Sequence, residues 1–572
     1  MNYTPRKLER YLTAVGVALF VVILSSVTFF LRLEHQGSTF TLATRTLKTQ
    51  MPMYFLFGLL ALISNVWISG LVVVLLAIIL NLANNVKYAL VNEVLSFNDL
   101  MQVQEHFSVI KNYMNIGHVL LIFILILFLV LAIYQSKNFF KSRKSPWQVF
   151  FLVTLCLLTL PSFYPRFPTK IFSDHISPQK FLTAFFRDYL GIRYRPWVWY
   201  DNYLNNGLYF HLIQSSSRHL PSEPTQENIK QMEGLKPVIG SDDSRPKHVV
   251  FILCEACWYQ KGIFEKEFSP VLDLPGIQKT TVVSPSYGGR TVNAAFEILT
   301  ALPSRGLVGI IYPEYADYFS EHANTLVQSF KTLGYQTYDI HNYKKIFWRR
   351  TKVLPKFGFD RFYSIEDMDY KGKEKYPEDS ALFDFSLDLI RKKIDSNLFL
   401  HLETVHTHGN FDNDGDHGEK DYATRLSLTM LNLKKFIVEV KKLDPEIFIV
   451  LYGDHKPALT KFFYDQGVFS SKMFKKTGER DTDFIFSSDA DRSIIGSVPM
   501  LIYYPANVKI ASKLAQKIDH QPMFCASSIL DQDFFKTGYV GTAWSKGICE
   551  KDILYSQKTG LVPSWVYSYL LF

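Results

Sequence analysis

The hydrophobic pattern divides the chain into two stretches of different kind. In the first, uncharged apolar runs reach membrane-spanning length: Tyr11 to Leu31, preceded by Arg6, Lys7 and Arg10, then Met53 to Leu80, Ile116 to Tyr134 and Trp147 to Tyr164. The run from Met53 to Leu80 is too long for one ordinary span and is interrupted by Asn65, Ser69 and Gly70, which predicts a tight hairpin of two helices, about 52 to 68 and about 70 to 86. With five spans, both the Arg6/Lys7/Arg10 flank and the basic stretch from Lys137 to Lys144 are cytoplasmic, and everything after Tyr164 lies outside. The expectation is an N-terminal five-helix transmembrane domain over 1–165. Residues 166–245 then form an interfacial aromatic segment and linker: Phe185, Phe186, Tyr194, Trp197, Trp199, Tyr200, Tyr203 and Tyr209 are interleaved with Lys and Arg, and Pro221 to Lys247 is polar.

From 246 to 572 the period changes. Short apolar runs, His248 to Leu253, Thr337 to Ile340, Leu398 to Leu402, Ile447 to Leu451 and Val498 to Tyr504, have strand length and β-branched content. Helical patterns such as Ala323 to Leu333 and Leu426 to Lys442 fall between them, so this part is expected to be an α/β domain.

Composition changes this picture little. The net charge of +9 is spread over 572 residues without a long Lys/Arg block, which suits a membrane surface and gives no sign of a nucleic-acid partner. Five cysteines imply no disulfide framework. Cys254 and Cys257, three apart on an extended strand, face opposite sides and are expected as two packed thiols, whereas Cys525 and Cys549 could pair.

Candidate chemistry sits at strand ends. The run IFIVLYGDHK stops at Gly453 and then presents Asp454 and His455, where ligands bind in open α/β sheets. HVVFILCEAC presents Glu255 in the same way, a carboxylate in an apolar run that needs a partner or a metal. Together these groups make a mixed oxygen and nitrogen site for a hard or borderline divalent ion. In SPSYGGRTVNAAFEILTALP a Gly-Gly turn precedes Thr291 and an apolar helical pattern, placing Thr291 at a helix N-terminus, where an anion is favoured. A structural N-cap threonine has the same appearance.

Glu255, Thr291, Asp454 and His455, with the Tyr-Gly-Asp-His wording at Tyr452 to His455, resemble the lipoteichoic acid synthases and membrane phosphoglycerol transferases of the alkaline phosphatase and sulfatase superfamily. The resemblance implies an extracytoplasmic sulfatase-like α/β domain behind the five spans, in a bacterial cytoplasmic membrane. It implies one divalent ion, manganese first with magnesium or zinc as alternatives, held by Glu255, Thr291, Asp454 and His455, with Thr291 as nucleophile. HNYKKIFWRR looks like the family's substrate-binding segment, on His341, Trp348 and Arg350. His408 in HTHGNF resembles the histidine after the next strand, with His406 as rival, and Asn85, Lys87, Tyr88 and Asp99 look like an outer-loop motif. The implied reaction moves glycerol phosphate from a phospholipid such as phosphatidylglycerol to a glycan or lipid hydroxyl through a phosphothreonine. Arg350 and His341 would hold the phosphoryl oxygens, Trp348 would shape the pocket and His408 would protonate the leaving alkoxide. The rivals are a phosphoethanolamine transferase, a phosphodiesterase and a non-catalytic membrane protein that binds ligand. Where the family usually carries an acid four or five places after the nucleophile, this chain has Ala295 and Phe296, with Glu297 one place later. The Cys-x-Pro-x-Arg sequence from which sulfatases make their modified nucleophile is missing.

Overall fold

The computed structural model describes residues 48–91, 94–101, 145–160, 192, 199–216, 224–234 and 245–572, less a few short stretches (305–309, 311, 313–314, 317, 346, 373, 410, 412–416, 477–483, 488–489, 552, 554 and 572). The spans expected at Tyr11 to Leu31 and Ile116 to Tyr134, and most of the aromatic segment after Arg166, lie outside the described residues. The chain divides into two compact units, Met1–Arg218 and His219–Phe572.

In the first unit the main helices are α1 (Met51–Ile63), α2 (Val66–Val91), α3 (Pro146–Thr159) and α4 (Trp199–Ser215). The long run from Met53 does break in two, but at Ser64 and Asn65. The Ser64 hydroxyl bonds the Leu60 carbonyl at 2.9 Å, the Ser69 hydroxyl bonds that of Asn65 at 2.9 Å, and the two hydroxyls lie 2.6 Å apart. Each hydroxyl thus back-bonds to a carbonyl that the N–H of the same serine also reaches, and the hydroxyl pair bridges the break. The second helix therefore starts at Val66 and runs through Ser69 and Gly70, not from Gly70 as the sequence suggested. Its portion Ile68–Tyr88 is, among the described residues, the one helix long and apolar enough to cross a membrane; α1 and α3 are shorter apolar helices. At the end of α2, Lys87 pairs with Asp99 at 2.5 Å and donates to the Val94 carbonyl at 3.0 Å, while Ser96 caps the same carboxylate through its N–H and its hydroxyl, each at 2.7 Å.

The second unit is built on strands β1 (His248–Cys254), β2 (Ile277–Val283), β3 (Gln336–His341), β4 (Arg361–Tyr363), β5 (Leu398–Glu403), β6 (Phe448–Gly453), β7 (Phe474–Lys476), β8 (Phe484–Phe486), β9 (Ser497–Tyr503) and β10 (Gln521–Pro522). Eight of them form one sheet in the order β10-β2-β9-β6-β1-β5-β3-β4, and β7 pairs with β8 as a separate hairpin. Within the large sheet only β9 runs against its neighbours. Central β1 lies between β5 and β6 and is buried at every residue, as a continuous apolar run in a parallel sheet must be. The parallel strands send their carboxyl ends to one edge: Cys254 is level with Gly453, and His341 with Glu403. Five of the strands match the apolar runs. β2 does not show as one, because its IQKTTVV mixes polar and apolar residues and is only partly buried. The helices that matter for the site are α5 (Thr291–Thr300), α6 (Ser380–Lys392) and α7 (Glu419–Leu443). Farther along, α8 (Met523–Leu530) and α9 (Val540–Cys549) are joined by a Cys525–Cys549 disulfide.

Candidate active site

β1 ends at Cys254, and the chain turns at once. Cys257 N–H returns to the Cys254 carbonyl at 3.2 Å, Ala256 takes a left-handed φ of 50°, and Glu255 is aimed from the turn. The turn corrects the expectation of two separate thiols. Because the strand stops at Cys254, the backbone from 254 to 257 turns instead of staying extended, the two Cα atoms are 5.3 Å apart, and a disulfide joins them.

Asp454 and His455 follow β6 in the same way. Asp454 Oδ1 accepts the N–H groups of Ala256 at 2.7 Å and of His455 at 2.8 Å, and the Ser284 hydroxyl, just past β2, donates to the Asp454 carbonyl. Buried Lys456 donates to the carbonyls of Ile494 at 2.8 Å, Ile495 and Ser497, tying this turn to the start of β9. Thr291 opens α5, as the Gly-Gly turn predicted, behind Arg290 in left-handed backbone at φ 68°. Its hydroxyl donates to Glu255 Oε2 at 2.8 Å.

The four residues expected to form one centre are therefore brought together. Ligand atoms of Glu255, Asp454 and His455 lie within 4.8 Å of one another, with His455 Nε2 3.4 Å from Glu255 Oε1 and 3.2 Å from Asp454 Oδ2. Asp454 Oδ2 and His455 Nε2 are buried and make no hydrogen bond, while His455 Nδ1 is fixed by the Lys456 carbonyl at 2.9 Å. Buried polar atoms without partners, two carboxylates and an imidazole with a fixed ring are a donor set that fits a hard or borderline divalent cation. Without a cation the groups must share protons. Burial would raise the Glu255 carboxyl, but the charges of His408 and His455 outweigh it and hold it down to about 2. Burial and the Glu255 charge push Asp454 up to about 7. His455 reaches about 9, because Asp454 and Glu255 overcome the effect of its burial.

Around this centre the histidines separate. His408 stacks on the Tyr376 ring at 4.5 Å and is the first among the charges that lower Glu255, whereas the His406 ring turns to the Tyr376 carbonyl at 3.3 Å. His341, the last residue of β3, is buried with Nδ1 2.9 Å from the Glu403 carbonyl; burial and the Arg350 charge bring it down to about 4, so it is neutral. Trp348 is partly buried against the core, in left-handed backbone at φ 55°, followed by Arg349 at φ 54°. Two such residues in succession mark a strained corner. The corner delivers Arg350 inward, where its guanidinium meets Glu403 through Nε at 3.0 Å and through Nη2. Arg350 thus has a protein partner that the sequence did not announce. Lys344 and Lys345 are exposed.

Several residues of the site escaped the sequence. Glu403 holds Arg350, and on the same strand His401 bridges Asp339 Oδ2 at 2.7 Å and the Tyr452 hydroxyl at 2.8 Å. A signal was available, since His401 and Glu403 alternate inside an apolar strand, as do Asp339 and His341. Asp379, fully buried, accepts from Val405 N–H at 2.9 Å, Asn342 Nδ2 at 3.0 Å and the Thr429 hydroxyl at 2.7 Å, anchoring the loop that carries His408. Nothing in the local sequence marks it.

Residues 247–532 match the sulfatase family. Among curated proteins, the chain is 27% identical to the "Putative cyclic beta-1,2-glucan modification protein" of Rhizobium meliloti (strain 1021), over 52% of this chain and 50% of that one. It is 28% identical to the "Capsular polysaccharide biosynthesis protein RkpI" of the same organism, over 31% of this chain and 34% of that one. The matches thus span half or less of these relatives' length. Among solved structures, the Streptococcus pyogenes phosphoglycerol transferase GacH in complex with sn-glycerol-1-phosphate is 15% identical at a TM-score of 0.42, over 62% of this chain and 96% of that one, which is too distant to bear on substrate.

Proposed function

The chain belongs to the sulfatase family, and from that premise we propose that it is a membrane-bound, metal-dependent phosphotransferase that moves glycerol phosphate from phosphatidylglycerol to a hydroxyl of a cell-envelope glycan through a phosphothreonine at Thr291. The observation that carries this is the Thr291 hydroxyl itself. It stands at the start of a helix, 2.8 Å from Glu255 and inside a group whose buried Asp454 Oδ2 and His455 Nε2 make no hydrogen bond. A divalent cation bound by Glu255, Asp454, His455 and Thr291 supplies a lowered pKa for that hydroxyl and positive charge beside the phosphoryl group.

The remaining chemistry belongs to the chain. Thr291 Oγ1 gives up its proton to solvent and attacks phosphorus, the bond to the diacylglycerol oxygen breaks, and the leaving alkoxide takes a proton from His408. The backbone N–H groups at the start of α5 favour the phosphoryl charge. His341, its Nδ1–H held by the Glu403 carbonyl, hydrogen-bonds a phosphoryl oxygen through Nε2 once the anionic substrate brings a proton there, and Arg350, fixed by Glu403, contributes positive charge from behind it. In the second half an acceptor hydroxyl attacks the phosphothreonine and gives its proton to His408, and the Thr291–phosphorus bond breaks, the threonine oxygen taking a proton back from solvent.

The names of both Rhizobium meliloti relatives concern glycans, which supports a glycan acceptor over a lipid one. The five-span topology and an extracytoplasmic catalytic domain in a bacterial cytoplasmic membrane belong to the same proposal, supported by the apolar α1, α2 and α3 and by the basic flanks; manganese as the resident ion belongs to it through the family resemblance. Phosphoethanolamine transfer is the runner-up, since the same centre would serve it. The test is turnover of phosphatidylglycerol to diacylglycerol by the purified chain in manganese. Native enzyme is expected to release diacylglycerol and Thr291→Ala to release none; substantial turnover by Thr291→Ala would end this mechanism.

A further inference from the structure

Two of the groups placed around the cation depend on one short turn. Cys254 and Cys257 are fully buried and joined by a disulfide, and the residues enclosed between them are Glu255 and Ala256. Ala256 is held at φ 50°, a left-handed conformation that crowds the Cβ of an L residue against its own backbone. In that conformation its N–H reaches Asp454 Oδ1 at 2.7 Å, while Asp454 N–H points back to the Cys254 carbonyl at 3.4 Å. The same turn therefore aims Glu255 and orients Asp454. It also sits directly on the strand that carries Asp454, since a Cβ at Gly453 would lie 2.2 Å from the Cys257 carbonyl oxygen. On the other side the turn is gripped by Thr404, whose hydroxyl accepts Glu255 N–H at 2.8 Å, and by Tyr422, whose hydroxyl donates to the Ala256 carbonyl at 2.8 Å.

From this geometry we propose that the Cys254–Cys257 disulfide is a positioning device for the cation site: closed, it keeps the strained turn in the form that brings Glu255 and Asp454 to one ion; opened, it lets the ion go while the domain stays folded. Opening needs a dithiol reductant, whose two thiols become its own disulfide as Cys254 and Cys257 each gain a proton and an electron. Ala256 is then free to leave the left-handed region. Its N–H withdraws from Asp454 Oδ1, and Glu255 loses its fixed aim. Tight cation binding would in this way be confined to an oxidising compartment.

The inference rests on Glu255 and Asp454 being cation ligands, and the experiment separates the two claims. Manganese affinity of the full chain in detergent is measured by calorimetry for the native protein, for Cys254→Ser/Cys257→Ser and for Cys525→Ser/Cys549→Ser. A fourth sample is native protein treated with dithiothreitol, its opened bridge located by alkylation and mass spectrometry. Opening the 254–257 bridge, by either route, is expected to raise the manganese Kd about 10- to 100-fold, the range seen when groups supporting metal ligands are lost. Opening 525–549, which lies between α8 and α9, is expected to lower the melting temperature and leave the Kd alone. A Kd within twofold of native after the 254–257 bridge is opened, or an equal rise in Cys525→Ser/Cys549→Ser, overturns the positioning role and leaves the cation site standing. No manganese binding by native protein would overturn both.

Discussion

Arg350 and Glu403 form a two-pronged ion pair with side chains only 1% and 3% exposed, Arg350 Nε meeting Glu403 Oε1 at 3.0 Å and Nη2 meeting Oε2. The pair holds Glu403 down to about 2 against the opposing effect of burial. Removing one member of such a pair leaves a charge with no solvent and no partner, which costs about 3–5 kcal/mol. Arg350→Ala is therefore expected to lower the melting temperature markedly as well as activity. Arg350→Met combined with Glu403→Leu should recover much of the stability and none of the activity, because packing can replace the pair but not its charge. Thermal unfolding and diacylglycerol release on the purified variants check this. An Arg350→Ala protein as stable as native would place the guanidinium outside the pair.

Gly453 makes the second prediction. A Cβ there would fall 2.2 Å from the Cys257 carbonyl oxygen, a backbone atom that cannot swing away as a side-chain tip could. Gly453→Ala must push the Cys254–Cys257 turn off β6, at a cost of about 1–3 kcal/mol, and must separate Glu255 from Asp454. Weakened manganese binding with the fold retained is the expected result, read by calorimetry and circular dichroism. Unchanged affinity would show that the two turns do not need to touch.

How far the sequence foretold these contacts depends on their range. Glu255, Asp454 and His455 were legible because a charged residue closing a fully apolar strand is visible locally, and β1, β3, β5, β6 and β9 were legible for the same reason. Thr291 was placed by the Gly-Gly turn before it. The Arg350–Glu403 pair was not legible, since it joins a strand to a corner 53 residues away and neither neighbourhood names the other. The Cys254–Cys257 bridge is hidden from the sequence because strand alternation holds only to the end of β1, and the bridge closes in the turn beyond it. The sequence shows that the first unit's long apolar run breaks in two but not where, since Asn65 and Ser69 are both plausible breakers and the helices part at Ser64 and Asn65.

Glu297 lies six places after Thr291 and is fully buried. Its Oε1 accepts Ser304 N–H at 2.9 Å and the Ser304 hydroxyl at 3.1 Å, and Oε2 has no partner. Burial outweighs the bonds from Ser304 and pushes this carboxyl from 4.5 up to about 7, so the fold favours its protonated form. Stability from this group is complete below about pH 4.5 and is lost as pH rises through about 7. Glu297→Gln keeps the shape without the titration. Its melting temperature should match the native value near pH 5 and exceed it near pH 8. Parallel curves across that window would show that Glu297 does not hold a proton in the fold.

Whether Thr291 carries the transferred group can be weighed directly. Purified enzyme is incubated in manganese with phosphatidylglycerol, or separately with phosphatidylethanolamine, without acceptor, then acid-quenched and digested, and the peptide from Thr291 to Arg305 is measured by mass spectrometry. A glycerol phosphate adduct from phosphatidylglycerol, localised to Thr291 and absent in Thr291→Ala, is the predicted result. No adduct from either lipid while diacylglycerol is still released, or a phosphoethanolamine adduct with none from phosphatidylglycerol, would contradict it: the first removes the covalent route, and the second reassigns the donor.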